Sequence, residues 1–184
     1  ATADIGWKVG DFYQYRQTDL LTRLEIESGT RRITAITDNE VIYNKGVLVM
    51  DLLGNLLRLP SGAVWSPNQT SPSEFAVGRR WSTRFRVIPR KGGDSTVDLD
   101  LRIVDRERIT VPAGTFNAFR VEARGWQSGM VEGAGHFNLT WDWKTWYAPG
   151  EVRLPIAFEW LVRHASGKIM RATRNEMVAF GQQA

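Results

Sequence analysis

Residues 109–126 read Ile-Thr-Val-Pro-Ala-Gly-Thr-Phe-Asn-Ala-Phe-Arg-Val-Glu-Ala-Arg-Gly-Trp. Two extended segments flank the corner Pro112-Ala113-Gly114, where proline presets φ and glycine permits a positive φ. After the corner, apolar residues at 119, 121 and 123 alternate with charged residues at 120, 122 and 124. This two-residue period is typical of a strand with one buried face, so the stretch predicts two β-strands joined by a turn.

Short extended runs separated by Gly, Pro, Asn and Ser continue along the whole chain. No segment combines an apolar stripe of helical period with helix caps. The sequence therefore predicts an all-β fold, a single antiparallel, strongly curved sheet or partly open barrel of about ten strands. A two-layer sandwich is the second choice. Any helix is expected to be one short piece between 60 and 75.

The turn residues place the expected strands. Ser28-Gly29 suggests a hairpin turn between two runs, and Gly54-Asn55 suggests another. The remaining runs alternate or are rich in β-branched and aromatic residues. The expected strands are Phe12–Arg16, Thr22–Ile26, Arg31–Thr37, Val41–Tyr43, Val47–Met50, Trp81–Ile88, Thr96–Val104, Phe137–Tyr147, Val152–Ala165 and Ile169–Phe180.

The 184 residues fit one β-rich domain spanning 1–184. The segment Val77 to Arg84 echoes Val9 to Arg16, because each has Val-Gly, an aromatic residue soon after and Arg six positions beyond the glycine. This suggests two sequence halves, 9–60 and 77–180, joined by a loop at 60–76.

Composition excludes several classes of protein. Hydrophobic residues make up 42% of the chain, with eight Trp and eight Phe, which excludes global disorder. Cysteine is absent, which rules out a disulfide framework and a thiolate metal site. The net charge of +4 comes from interspersed signs and not from a basic face, which argues against nucleic-acid binding. No apolar run is long enough to be a transmembrane segment.

The first residues, Ala-Thr-Ala-Asp, suit a mature exported protein after removal of a signal peptide, although a trimmed chain would look the same. Exported proteins can also lack cysteine, so the compartment stays open on composition alone.

Aromatic residues are densest on two adjacent expected strands. Trp141 and Trp143 share one face of the first strand, and Phe158 and Trp160 share the matching face of the second. Such a stripe is either a barrel core or the lining of a cavity for an apolar ligand. These four residues are the candidate ligand-binding residues, and the sequence leaves the two interpretations open.

Trp65, Trp126 and Trp146 are harder to place on an inner face. An exposed indole is a common platform for sugars or a contact for a protein partner. A carbohydrate-binding module is therefore one alternative function, and a covering role over a sheet end is the structural interpretation.

The two histidines, His136 and His164, allow a second alternative, a hydrolase that pairs one of them with a carboxylate. Neither lies in a metal-binding or catalytic motif, and both flank glycine-rich turns. The sequence contains no nucleophile elbow and no phosphate-binding loop. No catalytic, metal or cofactor site is predicted.

Val111-Pro112-Ala113-Gly114-Thr115-Phe116, the following Ala118 to Glu122, and Thr145 to Gly150 together resemble the TapB-like exported bacterial proteins of unassigned function. Val9 to Tyr13 and Val77 to Trp81 also match that pattern. The resemblance runs from Val9 to about Phe180 and implies an exported, partly barrel-like domain in the periplasm or cell envelope. It supplies no catalytic residues. Glu151 departs from the pattern.

The hypothesis is a non-enzymatic envelope protein that binds an apolar or amphipathic ligand or a protein partner. The expected partner is either a lipid-like small molecule or an envelope protein. The oligomeric state stays open.

Overall fold

A computed structural model describes residues 5–184. It is built almost entirely of β-strands, with one turn of 3-10 helix at Asn44–Gly46. The strands are β1 Phe12–Asp19, β2 Glu25–Ile36, β3 Glu40–Tyr43, β4 Leu48–Asp51, β5 Leu56–Arg58, β6 Val64–Trp65, β7 Arg80–Ile88, β8 Ser95–Val111, β9 Gly114–Val131, β10 Gly135–Tyr147, β11 Ala157–His164 and β12 Ile169–Gly181.

Each strand pairs antiparallel with the next, and β1 pairs with both β2 and β12. The twelve strands thus form a closed barrel, which confirms the all-β prediction and raises the expected strand number. Because strand direction alternates, successive turns fall at opposite ends of the barrel. The upper end carries the turns after β1, β9 and β11, and the lower end carries the turns after β8 and β10.

The stretch at 109–126 forms the turn between the two longest strands. Val111 pairs with Gly114, whose φ is 142°, so the predicted corner at Pro112 and Gly114 is confirmed. The tip contacts β12, since the amide of Ala113 donates to the carbonyl of Met177 at 3.1 Å. This hairpin therefore helps to seal the lower end.

The predicted turn at Ser28-Gly29 is wrong, because both residues lie inside β2. Gly29 pairs with Tyr15 of β1, and this long-range pairing overrides the local preference of Ser-Gly for a turn. The turn lies at 20–24 instead. It is stabilised by the Asp19 carboxylate, which accepts hydrogen bonds from the amides of Leu21 at 2.9 Å and Thr22 at 2.7 Å.

The helix expected between 60 and 75 is not present; β6 and irregular chain occupy this segment. The helical turn lies at Asn44–Gly46, where the side chain of Asn44 takes the place of a strand partner for β2. Its Oδ1 accepts a hydrogen bond from the amide of Arg32, and its Nδ2 donates to the carbonyl of Thr30. Across residues 5–184, no helix is long and apolar enough to cross a membrane.

The expected strand from Val152 begins later, at Ala157. The amides of Glu151 and Val152 both donate to the carbonyl of Ala148, so the chain forms a turn there, and Pro155 cannot donate to a ladder. The division of the chain into two halves remains a prediction.

Buried residues form two clusters. The upper core comprises Trp65, Phe85, Val97, Leu99, Leu101, Ile103, Val121, Ala123, Trp141 and Val162. The lower core comprises Tyr13, Tyr15, Ile33, Val41, Tyr43, Leu48, Met50, Ile109, Val111, Phe116, Ala118, Trp146, Ala148, Val152, Leu154, Ile156, Ala157 and Met177.

The tyrosines make stability sensitive to alkaline pH. Burial raises the pKa of Tyr13, Tyr15 and Tyr43, and raises the pKa of Tyr147 to about 12, although its hydrogen bond with Ser71 opposes the rise. Above about pH 10 the unfolded chain loses phenolic protons that the folded chain keeps. The free energy of unfolding should therefore fall from about pH 10 upward, by about 1.4 kcal/mol per pH unit for each tyrosine.

Urea denaturation at several alkaline pH values, with tyrosinate absorbance recorded in parallel, measures this effect. These four are all the tyrosines of the chain, so ionisation should coincide with unfolding. Tyrosinate absorbance that rises near pH 10 in a protein still folded by circular dichroism would contradict the prediction.

Candidate ligand-binding site

The pairing of β10 with β11 brings the four predicted ligand-binding residues together. Trp143 is aligned with Trp160, Thr145 with Phe158, and Trp141 with Val162. Residues two apart on a strand share a face, so the four aromatic side chains lie on the same inner surface. The sequence thus predicted their common face correctly.

The indoles of this surface pack against one another. Ring centroids are 4.8 Å apart for Trp141 and Trp160, and 6.0 Å apart for Trp143 and Trp160, which are stacked. Trp65 reaches them from β6 on the opposite wall, with centroids 5.8 to 6.2 Å from all three. The cluster therefore fills part of the barrel interior.

Burial separates Trp141 from the other three. Trp141 is 2% exposed, and its Nε1 donates to Gln127 Oε1 at 3.0 Å. Trp143, Phe158 and Trp160 are only half-buried. The Nε1 atoms of Trp143 and Trp160 are shielded from solvent and have no hydrogen-bond partner among the described residues. Trp141 is thus part of the core, while the other three rings are partly exposed to solvent.

The wall beside these rings is incomplete. The four strands from β3 to β6 are only two to four residues long, whereas β2 has twelve residues. Residues 25–29 consequently pair only with β1, and residues 25–30 are exposed throughout. The upper half of β2 therefore has no neighbouring strand on its second side among the described residues, and we call this unpaired edge of the wall the opening.

Two arginines lie at this opening. The guanidinium carbon of Arg31 is 4.8 Å from the Tyr15 ring centroid and 5.7 Å from that of Phe158. The guanidinium of Arg171 lies 4.3 Å from the Trp160 centroid, and burial lowers its pKa. These are cation–π contacts, which hold each guanidinium against an aromatic surface.

The proposed exposure of Trp65 and Trp146 is wrong. Trp65 is 3% exposed, and Trp146 is 8% exposed with its Nε1 donating to Glu107 at 2.8 Å. Trp126 is 60% exposed on the outer surface. It borders a groove of about 740 Å³ whose charged side chains form the ion pairs Arg84–Asp98 and Arg124–Asp142.

A second concavity of about 390 Å³ lies at the lower end, between the loops that follow β4, β6 and β10. Its lining includes Phe75, Tyr147 and Arg153. Arg153 is already bound to Asp11, so the concavity offers no unpaired charge at that position.

The hydrolase alternative gains no support from the geometry. His136 and His164 are exposed near different turns, and Nδ1 of His164 contacts the hydroxyl of Ser166 at 3.0 Å. Residues 5–184 contain no group of three or more His, Cys, Asp or Glu side chains arranged to hold a metal ion.

Sequence reasoning missed Arg31 and Arg171, and it considered Trp65 only as an exposed indole or as a cover over a sheet end. Trp65 lies in a stretch with loop composition, and the pairing of Val64 with Ile88 and of Trp65 with Val87 directs its side chain inward. The sequence contained only a weak indication for the two arginines. Arg31 and Arg171 occupy alternating positions with apolar neighbours, which suggests an inner face, but charged residues normally mark the outer face.

The comparisons with known proteins identify a fold. No family model matches the chain, and no curated protein matches it. A candidate lipoprotein of Parabacteroides distasonis is 11% identical, with a TM-score of 0.57 over 95% of this chain and 96% of the other. A candidate exported protein of Bacteroides fragilis with a YmcC-like fold is 9% identical, with a TM-score of 0.58 over 95% and 97%.

The hypothetical lipoprotein YmcC of Escherichia coli is 12% identical, with a TM-score of 0.50 over 100% of this chain and 89% of the other. At these identities the likeness concerns architecture alone. The twelve-stranded barrel is thus similar in fold to this group of exported proteins and lipoproteins, while membership of the TapB-like family stays a sequence-based resemblance.

Proposed function

We propose that this chain is a non-enzymatic, exported protein of the bacterial cell envelope that binds an amphipathic small molecule at the opening beside β2. The ligand's apolar part contacts Trp143, Phe158 and Trp160, and Trp141 packs against the two indoles from the upper core. The observation that carries the proposal is the incomplete wall, because it leaves half-buried aromatic rings next to solvent.

The chemistry of the opening supports an amphipathic ligand over a purely apolar one. Aromatic rings provide apolar contact area, while Arg31 and Arg171 place charge within the same space. Small-molecule sites commonly combine an apolar lining with a few polar groups that fix orientation. The envelope location is supported by the similar folds of candidate lipoproteins and exported proteins.

A brominated long-chain alcohol tests this function, because bromine quenches tryptophan fluorescence on contact. We expect saturable quenching in the intact chain and about tenfold weaker binding in Trp160→Ala, since aromatic anchors dominate binding free energy. Calorimetry with dodecanol, which carries no quencher, provides an independent affinity.

Trp126→Ala is the matched control, since it removes an indole on the outer surface and should leave alcohol binding unchanged. Absence of saturable binding to the intact chain, or equal losses in the two variants, would reject the opening as the site.

Carbohydrate binding at Trp126 is a second candidate function, favoured by its 60% exposed indole beside a groove that also contains charged side chains. It predicts the opposite pattern: soluble oligosaccharides would change the fluorescence of the intact chain, and Trp126→Ala would abolish the change while Trp160→Ala would not.

A further inference from the structure

The arginines at the opening differ from the other half-buried arginines of the barrel. Within the described chain, seven arginines are half-buried, and five of them form ion pairs with Asp or Glu. The two without an ion pair are Arg31 and Arg171. Burying a charge without a partner is costly, so these two positions call for an explanation.

The carboxylates near the opening form no ion pair with Arg31 or Arg171. Asp19 is aligned with Thr173 beside Arg171, but its carboxylate is engaged by the amides of Leu21 and Thr22. Glu27 acts on Arg171 electrostatically but lies beyond ion-pair distance, and it is exposed. Among the described residues, no carboxylate thus lies within ion-pair distance of Arg31 or Arg171.

Unsatisfied polar atoms of the interior are also hydrogen-bond donors. Asn175, 7% exposed, accepts a hydrogen bond from Gln17 through Oδ1, but its Nδ2 has no partner among residues 5–184. The same holds for Nε1 of Trp143 and of Trp160, and for the hydroxyl of Tyr43, which is fully buried. Indole and amide N–H groups can only donate, so their missing partners must be acceptors.

The register places Asn175, Trp143 and Trp160 on one interior surface. Asn175 is aligned with Phe158 on one side and Gln17 on the other, and Thr173 is aligned with Trp160. Arg171 donates through Nε to the hydroxyl of Thr173 at 3.2 Å, and its two Nη atoms have no hydrogen-bond partner among residues 5–184. The guanidinium of Arg31 lies over Phe158, one step along the same face from Trp160.

We propose that the polar end of the ligand is an oxyanion, a carboxylate or phosphate group, bound by Arg31 and Arg171 with the neighbouring N–H donors. This inference rests on the proposed function, which supplies the apolar part of the ligand. Guanidinium groups bind carboxylate and phosphate through paired, charge-assisted hydrogen bonds, and they match no neutral or cationic headgroup as well.

Matched headgroups on one alkyl chain separate this inference from the proposed function. Calorimetry compares dodecanoate, dodecyl phosphate, dodecanol and dodecyltrimethylammonium, all below their micelle-forming concentrations, with inorganic phosphate alone. We expect the two anionic amphiphiles to bind the intact chain at least about tenfold tighter than the alcohol. Inorganic phosphate should bind weakly, because it has no apolar part.

Variants then locate the anion. Arg171→Gln and Arg31→Gln should each reduce the preference for dodecanoate over dodecanol to within about threefold. Arg108→Gln, on the exposed outer surface, is the matched control and should keep the full preference. Glu27→Gln should tighten dodecanoate binding, since it removes the competing carboxylate.

The outcomes are distinct. Equal binding of alcohol and anion by the intact chain overturns the oxyanion inference and leaves the proposed function standing. No binding of any amphiphile overturns both. If inorganic phosphate alone binds tightly, the ligand is a soluble anion and not an amphiphile. The comparison on the intact chain keeps the inference testable even where an arginine variant fails to fold.

Discussion

Replacing Gly125 by alanine is expected to destabilise the barrel by about 3 kcal/mol or more. A Cβ atom at this position would lie 1.8 Å from the carbonyl oxygen of Asp98 and 3.0 Å from the Cα of Leu99. Both are backbone atoms of β8, so no side-chain rotation relieves the contact. The strands must separate, which weakens the ladder between the two longest strands. Urea denaturation followed by circular dichroism measures the loss.

Gly29→Ala is the matched control. Gly29 also lies inside a strand, but its added Cβ would meet nothing within 4 Å and its φ is not positive. Its substitution should change the free energy of unfolding by no more than about 0.5 kcal/mol. Similar losses at both positions would show that the close approach of β8 at Gly125 does not limit stability.

The fold was largely predictable because its signals are local. Alternation along β8, β9 and β10 sets which residues share a face, and Pro112 and Gly114 mark the turn between the long strands. An antiparallel meander requires little beyond such strands and turns, since each strand pairs with its neighbour in the chain. The closure of β1 on β12 joins the first strand to the last, and the pattern did not specify it.

Errors arose where long-range pairing outweighs local preference. Ser28-Gly29 has turn chemistry, yet pairing with β1 keeps it extended. Trp65 has irregular surroundings in sequence, but two pairs with β7, at Val64 and Trp65 itself, turn its indole into the interior. The local patterns of a single sequence do not reveal such contacts between distant segments.

The candidate site also combines features that the sequence predicted with features that it did not. The shared face of Trp143, Phe158 and Trp160 follows from the two-residue period. The opening beside them depends on the shortness of β3 to β6 relative to β2, which is a property of the assembled barrel. Arg31 and Arg171 break the usual rule that charged residues face outward, so their placement could not be inferred from polarity.

Asp11 is the buried charge on which the closure of the barrel depends most directly. Its carboxylate is fully buried and accepts hydrogen bonds from Arg153 Nη1 at 2.6 Å and the amide of Gln183 at 2.8 Å. Arg153, only 19% exposed, also donates to the carbonyl of Gln183. One carboxylate thereby joins the start of β1, the turn after β10 and the segment after β12.

Asp11→Ala is expected to lower the free energy of unfolding by about 3 to 5 kcal/mol, because it leaves the Arg153 charge without its partner. Asp142→Ala removes an exposed partner of Arg124 and should cost at most about 1 kcal/mol. In urea denaturation, the double variant Asp11→Ala/Arg153→Ala should lose less than the two single losses combined, since the unpaired charge is gone. Additive losses, or equal effects of Asp11→Ala and Asp142→Ala, would mean that burial does not determine the strength of the Asp11 pair and that closure depends on the β1–β12 ladder alone.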